Sequence, residues 1–140
     1  MSEIVNLKIK IPAGIDNGET IRYSGQGEAA SGGQAGDLYI RVRVAPDKRF
    51  TRQGFNILSK AEISVATAAL GGKIEVETVD GPVELKIPEG TQSGRVIKLK
   101  EKGVPHLRGR GRGDHLVEVI VKTPTGLSRK QKEMLRDLGI

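Results

Sequence analysis

The chain has 140 residues, a net charge of +6 and no cysteine, so disulfides, thiolate metal sites and cysteine nucleophiles are excluded together. Aromatic residues make up 3% and apolar residues 36%, which leaves Ile, Val, Leu and Ala to build any core. No apolar run approaches the ~20 residues of a membrane span, and Met1-Ser2-Glu3 does not open as a signal peptide; the expectation is a cytoplasmic protein with no membrane contact and no cofactor.

Strand signals dominate. Val5, Leu7, Ile9 and Ile11 alternate with Asn6, Lys8 and Lys10, which predicts a half-buried strand over 5–11. Pro12 and Gly14 end it, and Asp16-Asn17-Gly18 is a second turn signal. A further strand is predicted over 19–24, a glycine-rich loop from Gly25 to Gly36, and another strand over 38–44. Residues 45–56 have loop composition and read as a junction. The segment from Ile57 to Ile63 is extended. Ser64 to Gly71 predicts a short helix with Ser64 as N-cap and Gly71 as its stop. Ile74, Val76 and Thr78 alternate, Asp80-Gly81 marks a hairpin, and Val83, Leu85 and Ile87 form its return strand. Ser128 followed by Gln131 is a capping-box pattern that opens a helix over 128–138. Met134, Leu135 and Leu138 share one side of it, and that side needs a partner, either the second domain or another chain.

The chain also repeats itself. Leu7 to Gly18 matches Val83 to Gly94 at an offset of 76: Pro12 with Pro88, Gly14 with Gly90, Gly18 with Gly94. The match resumes at Gly36-Asp37 and Gly113-Asp114, one residue further on, and runs through the strands that follow. A duplicated unit predicts tandem domains of one fold. The expected division is 1–45 for the first β-domain, 46–123 for the second and 124–140 for the helix. The second copy is preceded by a strand, a helix and a hairpin strand (57–82) that have no counterpart before Val5. The first domain is therefore expected to be incomplete, either because the chain is a piece of a longer one or because its sheet is completed by something else.

Few residues suggest chemistry. His106 and His115 have no carboxylate or cysteine cluster around them, and an exposed or structural role is expected for both. The glycine runs at Gly25-Gln26-Gly27 and Gly32-Gly33 precede no helix that could hold a phosphate. No nucleophile–base pair is evident, which argues against an enzyme. Arg108-Gly109-Arg110-Gly111-Arg112 could bind nucleic acid or be a charged hairpin loop; the loop is the stronger expectation, and a nucleic-acid partner is the disfavoured one.

The sequence resembles the C-terminal client-binding region of DnaJ-type co-chaperones. The residues that carry the likeness run in order through the chain: Ile11-Pro12-Ala13-Gly14-Ile15-Asp16-Asn17-Gly18-Glu19-Thr20-Ile21-Arg22, Gly36-Asp37-Leu38-Tyr39, Phe50-x-Arg52-x-Gly54, Ala68-Ala69-Leu70-Gly71-Gly72, Val79-Asp80-Gly81, Ile87-Pro88-x-Gly90-Thr91-Gln92-Ser93-Gly94, Lys102-Gly103-Val104-Pro105, Gly113-Asp114 and Leu127-Ser128-x-x-Gln131. The resemblance implies a mainly β protein: two tandem, related β-sandwich-like domains, the first incomplete, with a short helix in the second and a helix at the C-terminus. It implies a protein that holds unfolded polypeptide clients and passes them to a DnaK-type chaperone. It does not carry over the J-domain, whose His-Pro-Asp is absent here, nor the cysteine zinc repeats. Phe50 aligns with a phenylalanine that lines the client groove of the family; the alternative is that it plugs the interface between the domains. Leu7, and with it Val5 and Ile9, would lie on a strand beside that groove or belong simply to the sheet core. Family members dimerise through their C-terminus, which here would use Met134, Leu135 and Leu138 in a homodimer. Two rivals remain: a basic nucleic-acid-binding protein and a structural dimerisation module.

Overall fold

The computed structural model describes residues 8–24 and 36–140. Over these the protein is mainly β. Strands β1 (Thr20–Tyr23) and β2 (Leu38–Arg41) form an antiparallel pair. A four-stranded sheet follows, built from β3 (Thr51–Gln53), β4 (Asn56–Ser64), β7 (Val96–Leu99) and β8 (His115–Lys122) in the order β3-β4-β8-β7. Helix α1 (Val65–Leu70), the hairpin of β5 (Gly72–Thr78) and β6 (Gly81–Ile87), and β7 all lie in sequence between β4 and β8. That long excursion lets β4 and β8 pair in parallel, which a short turn cannot do. The inner side of the sheet and the β5–β6 hairpin face each other in a sandwich. Their shared core is Ile63, Val76, Leu85, Ile87, Val117 and Val119, with Ala68 from α1. Each fully buried aliphatic side chain here stabilises the fold by about 1.5–3 kcal/mol.

The repeat holds down to single hydrogen bonds. Thr20 pairs with Arg41 as Val96 pairs with Glu118, and Tyr23 with Leu38 as Leu99 with His115. The Gly18 amide donates to the Val42 carbonyl at 2.8 Å, and the Gly94 amide to the Val119 carbonyl at 2.7 Å. The return bonds, Val42 to Glu19 and Val119 to Arg95, are both 2.8 Å. Even the side-chain tethers correspond: Val44 donates to Asn17 Oδ1 at 2.9 Å and Val121 to Ser93 Oγ at 3.0 Å. Burial differs sharply between the copies. Val117 and Val119 are 0% exposed, whereas their counterparts Ile40 and Val42 are only half-buried.

Most expected elements form, with shifts at their ends. Ser64 caps α1, its side chain accepting from the Thr67 amide, and Gly71 ends it. Helix α2 (Arg129–Leu138) has the full capping box of Ser128 and Gln131, and Gly139 closes it in the left-handed region at φ 69°. Two expectations need correction. The strand over 5–11 is not formed across Lys8–Ile11. Among the described residues no neighbouring strand takes their ladder bonds, and the Lys10 amide donates instead to the Tyr23 hydroxyl at 2.7 Å. Val5, Leu7 and residues 25–35 of the predicted glycine-rich loop lie outside the described residues. The junction 45–56 is not all loop: Thr51–Gln53 pair with Asn56–Leu58 as a hairpin turned at Gly54, φ 61°.

The two copies meet at a close backbone contact. A Cβ at Gly14 would lie 1.9 Å from the Pro105 carbonyl oxygen. Arg52, on β3, fastens the same turn. Its guanidinium donates to the carbonyls of Gly14 at 2.6 Å, Ile15 at 2.8 Å and Gly54 at 2.7 Å, and lies 3.6 Å from the Asp16 carboxylate. A hydrogen bond from a charged donor contributes about 1.5–3 kcal/mol when shielded, and the Arg52 side chain is 20% exposed. Replacing Arg52 by Ala is expected to accelerate amide exchange in β1 and β2 about tenfold (~1.4 kcal/mol) while leaving β4 and β8 protected. Equal exchange in the two proteins, read by hydrogen-exchange NMR, would show that Arg52 does not hold the copies together.

Candidate functional site

Phe50 is presented by a tight turn. Its amide donates to the Asp47 carbonyl at 3.3 Å, and the Asp47 carboxylate accepts from the Arg49 amide at 2.8 Å and from the Arg49 guanidinium at 3.0 Å. The Arg49 guanidinium beside Asp47 holds its carboxyl below the ordinary range. The same guanidinium stands 5.0 Å from the centre of the Phe50 ring, in cation–π contact. A short polar sequence thus holds an aromatic side chain in a defined place, although it joins no long strand.

The Phe50 ring lines a cleft of about 730 Å³ between the two copies. Val44 and Pro46 from the connecting segment, Ile57 from the start of β4, and Val79 and Val104 make the rest of its apolar wall. Asp16, Asp47, Arg49 and Arg52 supply charges of both signs around it. Such a cleft suits one or two apolar side chains of an extended polypeptide, with polar backbone left at the charged rim. The other edge of Phe50 meets His115, ring centres 5.7 Å apart and planes at 83°. Phe50 thus borders the cleft and also packs against His115, within the second copy.

Of the exposed and structural roles expected for His115, burial points to the structural one: it is 0% exposed. Its Nε2 lies 2.6 Å from Ser59 Oγ, and its Nδ1 has no hydrogen-bond partner among the described residues. This serine–histidine pair lacks the carboxylate that orients the histidine of a triad, and it is sealed from substrate. Burial pushes the imidazole pKa below its ordinary value. The sequence signal was present, since His115 shares the inward phase of Val117 and Val119.

The other predicted residues lie elsewhere. Ile9 is exposed and does not line the cleft. Met134, Leu135 and Leu138 face a second, larger cleft of about 880 Å³ between α2 and α1, whose opposite wall includes Val65 and Leu70. No residue of α2 is buried. The arginine-glycine loop is divided in its roles: Arg112 donates to the Gly103 carbonyl at 2.8 Å and pairs with Asp80, whose carboxyl it lowers, while Arg108 and Arg110 are exposed. Arg52 went unassigned in the sequence because its partners are backbone carbonyls from the first copy, which no side-chain pattern reveals.

Among the described residues no group of three or more His, Asp or Glu side chains could hold a metal ion, and no helix is long and apolar enough to cross a membrane. The chain is similar to curated relatives named Chaperone protein DnaJ. It is 52% identical to that of Maridesulfovibrio salexigens over 94% of this chain and 36% of the relative. It is 51% identical to that of Ruminiclostridium cellulolyticum over 95% and 35%, and 54% identical to that of Clostridium tetani over 92% and 35%. It thus spans a little over a third of the length of these relatives. The family model described as DnaJ C terminal domain matches residues 1–124, and with the repeated strand pairs, the β-sandwich and the capped terminal helix this establishes that the chain belongs to the DnaJ C-terminal domain family.

Proposed function

We propose that the chain holds non-native polypeptide as the client-binding part of a DnaJ-type co-chaperone and passes it to a DnaK-type chaperone in the cytoplasm. The observation that carries this reading is the apolar cleft at Phe50, in a chain similar over most of its length to proteins named Chaperone protein DnaJ. An extended client would place an apolar side chain against Phe50, with Leu7, Val5 and Ile9 assigned to further client contact from the first copy. The working division remains 1–45, 46–123 and 124–140. Contact with one or two side chains supports micromolar affinity (~8 kcal/mol), weak enough for release to a second chaperone. The reading is of a binding protein and not an enzyme. Nucleic acid is not part of this reading; Arg112, one of the three loop arginines, is engaged within the fold.

We also assign Met134, Leu135 and Leu138 to a homodimer contact. They form an uncovered apolar side on a well-capped helix, beside a cleft that a second copy of the helix would fit.

For client binding, fluorescence anisotropy with an apolar extended peptide is expected to show micromolar binding by the parent chain and at least about a tenfold loss for Phe50→Ala (~1.4 kcal/mol). Thermal unfolding of both proteins separates a lost contact from a lost fold. Equal affinity would remove Phe50 from the site. For the dimer, sedimentation velocity is expected to show Leu135→Glu with Leu138→Glu as a monomer at concentrations where the parent chain associates; an unchanged sedimentation profile would exclude this face.

A further inference from the structure

His115 is a titratable group with no countercharge bonded to it among the described residues. It stands at the start of β8, opposite Leu99 on β7 and Ile57 on β4. A neutral imidazole has one donor and one acceptor nitrogen, so with Ser59 beside Nε2 as its one partner among the described residues, a ring nitrogen is unsatisfied there in either tautomer. Protonation would make both nitrogens donors and bury a cation.

The charged groups on the surrounding elements are engaged or turned away. Asp47 and Arg49, on the connecting segment, bind each other, and Arg49 also reaches Glu77 at 4.0 Å. Arg52 on β3 is spent on the carbonyls of Gly14 and Ile15. Lys60 and Glu62 on β4, Lys98 on β7 and Glu118 on β8 occupy the alternate, outward phase of their strands. Asp114 accepts the Glu101 amide at 2.9 Å. None of them forms a hydrogen bond or ion pair with the imidazole.

The walls around His115 are unequal. Ser59, Val117 and Leu99 are fixed in ladders of the four-stranded sheet. Phe50 belongs to no long strand; a single bridge to Asp47 and exposed ion pairs hold its turn. Phe50 also lines the cleft, whereas His115 does not, so the ring separates the imidazole from the cleft. A buried charge is relieved where the surrounding structure opens most easily.

We propose that His115 is an acid-sensitive latch beneath Phe50: protonating the imidazole displaces the Phe50 ring and its turn, letting water reach Nδ1 and reshaping the cleft between the two copies. The direction follows from linkage. The folded chain favours the neutral ring, so it binds fewer protons than the unfolded chain just below the ordinary histidine value of 6.5. The closed form keeps its full stability above that value and loses it as the pH falls. The latch rests on the client-binding reading only for the use made of the cleft.

The test uses the whole chain labelled with 4-fluorophenylalanine, whose two phenylalanines give two fluorine signals, while the His115 ring is followed by carbon–proton NMR from about pH 7.5 to 5. The Phe50 signal is expected to shift with the same midpoint as His115, below that of an ordinary histidine. In His115→Gln, and in His115→Leu as the apolar replacement should the first fail to fold, the Phe50 signal is expected to stay constant. The latch is overturned if Phe50 stays put while His115 titrates, if it moves equally in a folded variant, or if His115 titrates only as the whole chain unfolds. No client enters these readouts, so a failed peptide assay leaves the latch standing, and an immobile Phe50 leaves the client reading standing.

Discussion

Three stretches of backbone cross at Gly103 and Gly113 with no room for a side chain. A Cβ at Gly113 would fall 1.9 Å from the Phe55 carbonyl oxygen, and one at Gly103 would lie 2.6 Å from backbone atoms of three residues. The crossing is closed by hydrogen bonds: Val104 to Phe55 at 2.8 Å, Gly103 to Gly113 at 2.8 Å and Gly113 to Val104 at 2.9 Å. From it the Ile57 amide reaches Asp114 at 2.9 Å and starts the parallel ladder of β4 and β8. One residue beyond Asp114, His115 is set under Phe50. On its other side Pro105 receives the turn of the first copy at Gly14. The core ladder, the candidate cleft and the joint between the copies therefore share one geometric requirement, met by residues without a Cβ.

The two copies separate what local sequence encodes from what packing supplies. Turn residues such as Gly18 and Gly94 and their side-chain tethers reproduce the same ladder twice. The ladder does not bring burial with it. Val117 and Val119 are sealed because β4 lies beside their strand and β5, β6 and α1 lie over it. Ile40 and Val42, on the same register, have no equivalent cover among the described residues. Hydrogen-bonded pairing is specified over a few residues, whereas an apolar face stabilises the fold only when another element meets it.

Legibility from sequence follows the same division. The caps at Ser64 and Ser128, the Asp80-Gly81 hairpin and the alternating strands were readable because each depends on neighbours within a few positions. Strand β3 was not, since Thr51, Arg52 and Gln53 carry no apolar alternation and pair only because β4 folds back on them. Over Lys8–Ile11 the alternation is present, but no neighbouring strand pairs with it among the described residues. Phe50 could be singled out as an aromatic in polar surroundings, yet its contact with His115 spans sixty-odd residues and emerged only from the fold. The inward phase of His115 was legible; the missing partner of its Nδ1 was not.

Helix α2 combines good ends with an uncovered side. Its ten residues are fewer than the ~12–15 that sustain an isolated helix in water, even with favourable caps. None of its side chains is buried, so its persistence depends on whatever covers Met134, Leu135 and Leu138. Where that cover is a second copy, mass action links coiling to association. The helical content of the C-terminus then becomes a function of protein concentration, and dilution alone would unwind a segment whose own sequence is well suited to be a helix.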